Sequence, residues 1–174
     1  MKENIFVIGG CRSGKSNHAL KLAEKIATDN KIFIATCIAQ DEEMKQRVTN
    51  HQKGRGQEWK TVEAPLQLPE AIADNAKIGD VIVVDCLTLW INNLLMQGEE
   101  TLKVEKQISN LVHAIEAAAC PVVLVSNEVG TGIVPANKLA RVFRDLVGSV
   151  NQTVAKSADK VIWMVAGIPV TIKE

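Results

Sequence analysis

Short apolar runs alternate with longer segments in which apolar residues recur every three or four positions. The runs predict buried strands, because strands covered on both faces have almost continuous apolar sequences. They lie at 4–9, 31–36, 80–85, 121–126 and 160–165, with shorter candidates at 59–63 and 170–173. The segments of helical periodicity predict helices at 15–28, 65–76, 87–96, 102–119 and 136–156, and a short helix at 41–48.

The helical segments are amphipathic, as helices packed on a sheet must be. In segment 102–119, Val104, Ile108, Leu111 and Ile115 fall on one face. Segment 136–156 carries a similar stripe that begins at Leu139. Strands and helices alternate along the whole chain, which predicts an α/β fold with a mostly parallel sheet and helices on both faces. We expect residues 1–174 to form a single domain.

Composition narrows the classes of function. The 174 residues are 47% hydrophobic but only 3% aromatic, so Val, Ile, Leu and Ala must build most of the core. Trp90 and Trp163 are interpreted as core residues, whereas Trp59 has polar neighbours and is left open. The formal net charge is zero, which gives no support for a nucleic-acid partner.

The pattern of the N-terminal residues and the spacing of the cysteines favour an intracellular protein. The N-terminus enters a strand pattern directly, without a signal-peptide core, and no apolar run is long enough to span a bilayer. We therefore expect a soluble, cytoplasmic protein without membrane insertion. The four cysteines lack a C-x-x-C spacing, so free thiols are expected.

The segment GGCRSGKS fits the phosphate-binding pattern G-x-x-x-x-G-K-S and stands between a predicted strand and a predicted helix. Glycines let backbone N–H groups turn towards a phosphate, and the helix N-terminus adds positive potential. Lys15 is expected to reach the β and γ phosphates, and Ser16 to ligate Mg²⁺. The candidate nucleotide-binding residues here are Gly9, Gly10, Cys11, Arg12, Ser13, Gly14, Lys15 and Ser16.

Other polar residues stand where predicted strands end. Asp85 ends the run VIVVD, where it is expected to help bind Mg²⁺; a cap on the next helix is the less favoured alternative, and the two roles can coexist. Asn127 and Glu128 follow another strand, and ligands of open α/β sheets bind at the carboxyl ends of strands. An ordinary strand-to-helix connection explains their spacing equally well. Arg141 and Arg144 fit either solvated charges or phosphate contacts.

The segment RVTNHQKGRGQEWKTVE (47–63) places His51 among basic residues and glycines. His18 and His113 lie in predicted helices and are interpreted as surface or half-buried residues. Together with GGCRSGKS, SNEVGTGIVP and RVFRDLVGSVNQ, this segment resembles the bifunctional adenosylcobinamide kinase / adenosylcobinamide-phosphate guanylyltransferase family. The resemblance runs from Ile5 to Lys173, and the segments around His51 and Asn127 are its most specific parts.

The resemblance implies a RecA-like P-loop fold, a homotrimer and two reactions of cobalamin biosynthesis. A nucleoside triphosphate (ATP or GTP, with Mg²⁺) phosphorylates adenosylcobinamide, and GMP from GTP is then transferred to adenosylcobinamide phosphate. The family's guanylylated histidine falls on His51. Beyond the phosphate loop, its nucleotide contacts fall on Ile34, Ala35, Thr36, Gln52, Lys53, Gly54, Arg55, Glu63 and Asp85.

Elementary chemistry agrees with this implied role of His51. A neutral imidazole is a competent nucleophile at neutral pH, and attack on the α-phosphorus divides one difficult displacement into two. Lys53 and Arg55 can stabilise charge that develops on the phosphate. Two alternatives stay open: a P-loop kinase for another small alcohol, with His51 as a substrate contact, and a non-catalytic nucleotide-binding regulator.

Overall fold

The computed structural model describes residues 2–38, 56 and 58–174. Seven strands of this part of the chain form one sheet: β1 (Ile5–Gly9), β2 (Lys31–Ala35), β3 (Trp59–Glu63), β4 (Val81–Asp85), β5 (Val122–Asn127), β6 (Lys160–Val165) and β7 (Ile168–Lys173). Their order is β3-β2-β4-β5-β1-β6-β7. Every pair is parallel except β6 with β7, which is antiparallel. The predicted mostly parallel sheet is confirmed.

The helices lie close to their predicted positions. They are α1 (Lys15–Ile26), α2 (Leu68–Asn75), α3 (Leu87–Met96), α4 (Thr101–Ala117) and α5 (Lys138–Ser157). Asn137 caps α5, because its side-chain oxygen accepts a hydrogen bond of 3.0 Å from the Ala140 N–H. The helix predicted at 41–48 lies outside the described residues.

The core is divided by the sheet into two layers. On one face Ala19 and Ala23 of α1 pack against Val7, Val83 and Val125. On the other face, α2, α3, α4 and α5 bury a larger cluster that includes Trp90, which is fully buried. Helices therefore cover both faces, as the alternation of strands and helices predicted.

Two side chains expected in the core, Trp163 and Leu139, are exposed. Trp163 is 44% exposed, because it lies on β6 beside the edge strand β7, where the sheet extends beyond its helical cover in the described part of the chain. Leu139 lies in the first turn of α5 and is 49% exposed, and Ile26 ends α1 on the surface. Trp59, by contrast, is buried edge-on against Phe33 with the ring centres 6.4 Å apart.

Strand register brings the predicted polar residues to one edge of the sheet. Gly9, the last residue of β1, pairs with Asn127, the last residue of β5. Asp85, the last residue of β4, pairs with Val125 of β5. The carboxyl ends of these three neighbouring strands therefore converge where the phosphate loop leaves β1.

Candidate functional site

The phosphate loop is a tight turn between β1 and α1. Gly14 precedes the helix with φ 93°, a left-handed conformation that favours glycine. Lys15 is the first helical residue and is only 7% exposed. Its Nζ donates hydrogen bonds to the Gly10 carbonyl at 2.6 Å and to Ser13 Oγ at 3.4 Å, so the ammonium group lies inside the loop.

The turn between β6 and β7 supports this loop from one side. The Gly167 N–H donates to the Ser13 carbonyl at 3.1 Å. A Cβ at Gly9 would overlap the Met164 carbonyl oxygen and approach Ser13 Oγ to 2.9 Å. The C-terminal hairpin therefore fixes the loop through backbone atoms, which the loop's sequence pattern did not reveal.

Gly9→Ala is expected to lower the free energy of unfolding by about 1–3 kcal/mol, because the added methyl group meets backbone that cannot rotate away. Gly10→Ala is the matched control from the same loop, since a Cβ there meets nothing within 4 Å. Denaturant unfolding of both variants measures the difference. Equal stability of the two variants would contradict the close packing of Gly9 against β6.

Beside the loop lies a cavity of about 360 Å³, within the range of ligand sites. It is lined by Arg12, Ser13, Gly14, Lys15, Ser16, Asn17, Asp85, Cys86, Val125 and Asn127. The structure thus brings together most of the predicted phosphate loop, Asp85 and the strand-end residue Asn127. Asn17 and Cys86 had not been singled out, and their adjacency to Ser16 and Asp85 was the available signal.

Burial shifts the pKa values of two groups in this cavity, the Lys15 ammonium and the Cys86 thiol. It lowers the pKa of Lys15, while the carboxylate of Asp85 opposes that shift. Burial also raises the pKa of the Cys86 thiol to about 12, and Asp85 adds to the effect. Lys15 is therefore a cation already partly removed from water, a state that strengthens its attraction for a phosphate.

Ser16 and Asp85 offer a hydroxyl and a carboxylate to the same cavity. These oxygen donors suit Mg²⁺, which is commonly held by one or two protein groups together with phosphate oxygens. The described residues contain no cluster of three or more His, Cys, Asp or Glu side chains that could hold a metal alone. The donor set thus fits an ion that arrives with a nucleotide.

Thr36 stabilises the backbone where β4 ends. It is fully buried, and its Oγ1 donates to the Cys86 carbonyl at 2.7 Å and accepts from the Cys86 N–H at 2.8 Å. Asn93 Nδ2 donates to the Thr36 carbonyl at 2.7 Å. Thr36 thereby fixes the chain directly after Asp85. Like Ile34 and Ala35, it does not line the cavity described above.

Other predicted contacts lie apart from this cavity. Glu63 is exposed at the end of β3, and three strands separate β3 from β1. With a strand spacing of about 4.8 Å, Glu63 is roughly 19 Å from the phosphate loop. Gly9, Gly10 and Cys11 belong to the loop but do not line the cavity. His51, Gln52, Lys53, Gly54 and Arg55 lie outside the described residues.

Arg141 and Arg144 hold the connection between β5 and α5. Arg141 Nη1 donates to the carbonyls of Pro135 at 3.0 Å and Ala136 at 2.6 Å. Arg144 Nη2 donates to the Gly130 carbonyl. Both side chains are half-exposed and neither is among those that line the cavity, and their hydrogen bonds give them a structural role in this connection. Ile133, within this connection, is 96% exposed.

Comparison with known proteins identifies relatives along the whole chain. The family described as cobinamide kinase / cobinamide phosphate guanyltransferase matches residues 5–172. The bifunctional adenosylcobalamin biosynthesis protein CobU of Escherichia coli K12 is 39% identical, over 97% of this chain and 99% of the relative. CobU of Salmonella typhimurium LT2 is 40% identical, over 97% and 99%. CobP of Pseudomonas aeruginosa PAO1 is 36% identical, over 97% and 96%.

Solved structures of low sequence identity share the fold. The flagellar accessory protein FlaH of Methanocaldococcus jannaschii superposes with a TM-score of 0.55 at 14% identity, over 98% of this chain and 78% of that one. A KaiC-like protein of Pyrococcus horikoshii OT3 gives 0.51 at 12% identity, over 92% and 70%. The predicted RecA-like P-loop fold is confirmed.

Proposed function

Because the chain belongs to the cobinamide kinase / cobinamide phosphate guanyltransferase family, we propose that it catalyses two successive transfers in cobalamin assembly. The first phosphorylates a hydroxyl of adenosylcobinamide with a nucleoside triphosphate. The second moves GMP from GTP onto the resulting phosphate and releases pyrophosphate. The observation that carries the proposal is a family match over residues 5–172 in a chain whose phosphate loop lines a cavity with Asp85.

In the first transfer, the phosphate loop and Lys15 hold the triphosphate. The substrate hydroxyl oxygen forms a bond to the γ-phosphorus, the bond from that phosphorus to the β-phosphate oxygen breaks, and the hydroxyl proton passes to solvent. Ser16 and Asp85 would hold Mg²⁺, which when bound neutralises phosphate charge. Lys15 adds a cation that is already partly desolvated, so little reorganisation is needed as charge moves.

For the second transfer we propose His51 as the nucleophile. Its imidazole nitrogen forms a bond to the α-phosphorus of GTP, and pyrophosphate leaves with the electron pair of the broken bond. The phosphate of the cobinamide then displaces the histidine and takes GMP. The support is the family match and the basic surroundings of His51 in the sequence, where Gln52, Lys53, Gly54 and Arg55 follow it. Glu63, Ile34, Ala35 and Thr36 stay proposed nucleotide contacts.

Labelled substrates test the proposed function on the purified protein. With γ-labelled ATP and adenosylcobinamide, the label should appear in adenosylcobinamide phosphate. With α-labelled GTP alone, it should appear on the protein, and adding adenosylcobinamide phosphate should move it to the cobinamide. Phosphorylation of adenosylcobinamide without any GMP transfer would leave only the kinase half of the proposal. Absence of both transfers would favour a kinase for another small alcohol or a nucleotide-binding regulator.

We also propose a cytoplasmic homotrimer with sites near the subunit interfaces. No helix in the described part of the chain is long and apolar enough to cross a bilayer. One face of the β6–β7 hairpin exposes a row of apolar side chains, namely Trp163, Val165, Ile168, Val170 and Ile172. A contiguous exposed apolar face of this kind is typical of interaction surfaces, and contact between subunits would bury it, which supports the proposed assembly.

Light scattering at micromolar concentration should give three times the chain mass of 18.9 kDa. Val170→Lys should lower that mass, because it places a charge in the middle of the apolar hairpin face. Leu102→Lys is the matched control, since Leu102 is 75% exposed on α4, away from the hairpin. A monomer mass for the unaltered protein would refute the proposed assembly.

A further inference from the structure

Asn127 is held at the cavity by its backbone. Its N–H donates to Thr88 Oγ1 of α3 at 2.7 Å, and its carbonyl accepts from Asn151 Nδ2 of α5 at 3.2 Å. Thr88 Oγ1 also lies 3.2 Å from Ser126 Oγ, and both hydroxyl groups are buried. Side chains from two helices therefore fix the backbone of this one residue at the end of β5.

The side chain of Asn127 is left for another partner. Its carboxamide makes no hydrogen bond with the residues the structure describes, and Asn127 lines the same cavity as Lys15, Ser16 and Asp85. Asn127 pairs with Gly9, where the phosphate loop begins, and lies two residues beyond the level of Asp85 along β5. Asn127 thus forms part of the cavity wall contributed by the sheet.

We propose that the Asn127 carboxamide binds the terminal phosphoryl group of the donor triphosphate and holds it for transfer. The inference rests on the proposed function, in which this cavity holds the donor. The loop amides surround the β-phosphate and Lys15 reaches on to the γ-phosphate. Lys15 Nζ donates a hydrogen bond to the carbonyl of Gly10, the residue after Gly9, and Gly9 pairs with Asn127. The ammonium group that reaches the γ-phosphate is therefore close to Asn127, and the γ-phosphate end of the nucleotide lies beside it.

The chemistry of an amide suits this position. Its N–H₂ group can donate to a phosphoryl oxygen, and hydrogen bonds to charged acceptors are stronger than those between neutral groups. In the transition state charge spreads over the three equatorial oxygens of the phosphoryl group, so a fixed donor there favours transfer. Since a diphosphate lacks the terminal group, the contact distinguishes a triphosphate from a diphosphate.

The test compares binding of ADP with binding of a non-hydrolysable ATP analogue, both with Mg²⁺, by calorimetry. Asn127→Ala should weaken binding of the analogue about tenfold and leave ADP binding within about twofold of the unaltered protein. Asn127→Asp, which keeps the shape but places a carboxylate beside the phosphoryl group, should weaken the analogue by about a hundredfold. The backbone bonds to Thr88 and Asn151 persist in both variants, and retained ADP binding shows that each is folded.

Asn110→Asp supplies the matched control, because Asn110 is exposed on α4 and the substitution adds the same charge. It should leave the ratio of ADP affinity to analogue affinity unchanged. An unchanged ratio in both Asn127 variants, or equal losses for ADP and the analogue, would overturn the inference. If the unaltered protein binds the analogue but transfers no phosphoryl group to cobinamide, the proposed function fails, while the affinity ratio still decides the contact.

Discussion

Lys15→Ala is expected to lower phosphoryl transfer and GMP transfer by about a hundredfold or more, because it removes the cation that holds the β and γ phosphates. The ammonium group already lies inside the loop against the Gly10 carbonyl and is only 7% exposed. The unaltered protein therefore keeps a desolvated charge where a phosphate binds. Steady-state rates with ATP and with GTP, together with triphosphate affinity, measure the loss.

Removal of the Lys15 charge should not by itself lower the free energy of unfolding. Since burial lowers the pKa of Lys15, the folded state holds the proton less tightly than the unfolded state does. Below the lowered pKa of the folded state, the charged ammonium group therefore reduces the free energy of unfolding. This penalty disappears as the pH rises from the folded-state pKa to the ordinary pKa of the unfolded state. Lys15→Met, which retains the apolar stem, should leave the melting temperature equal or higher.

Lys21→Ala is the control for Lys15, because Lys21 is exposed six residues further along α1. It should retain both activities. Unchanged rates in the Lys15 variants would mean that the phosphate loop does not serve catalysis. A lower melting temperature for Lys15→Met than for Lys21→Ala would contradict the account of its burial.

His51→Asn is expected to abolish the covalent GMP adduct and to lower guanylyl transfer by about a thousandfold or more, since an amide cannot replace the nucleophilic nitrogen. Phosphorylation of adenosylcobinamide should survive at least in part, because direct transfer to a hydroxyl needs positioning and Mg²⁺ rather than a protein nucleophile. The two assays with labelled ATP and labelled GTP separate the outcomes. The adduct itself should be acid-labile and base-stable, as a phosphoramidate is.

The chain offers a matched control for this prediction. His18 and His113 are its other histidines, and His113 is exposed on α4. His113→Asn should form the adduct normally. Peptide mapping of the labelled protein should place GMP on the peptide that contains His51. A label on Lys53, or a His51→Asn variant that makes adenosyl-GDP-cobinamide at nearly the normal rate, would rule out His51 as the nucleophile.

The order of the elements could be predicted from sequence because local patterns encode it. The apolar run of β4 and the apolar stripe from Val104 to Ile115 predicted burial correctly. The spacing of apolar residues along a strand or a helix can be read from the sequence alone. Trp163 was wrongly assigned to the core because its apolar character does not show how far the helices extend over the sheet. The hydrogen bonds of Arg141 and Arg144 could not be predicted either, because their partners are backbone carbonyls, which every residue has.

The sequence by itself determined the α/β class, the phosphate loop from Gly9 to Ser16 and the family, because residue types at fixed spacing carry that information. Only the tertiary structure decided which strand ends meet. It placed Asp85 and Asn127 beside Lys15, left three strands between β3, which carries Glu63, and β1, and put Gly167 against Ser13. These relations depend on the strand order β3-β2-β4-β5-β1-β6-β7, which arises from packing between residues distant in the chain and leaves no trace in any local pattern.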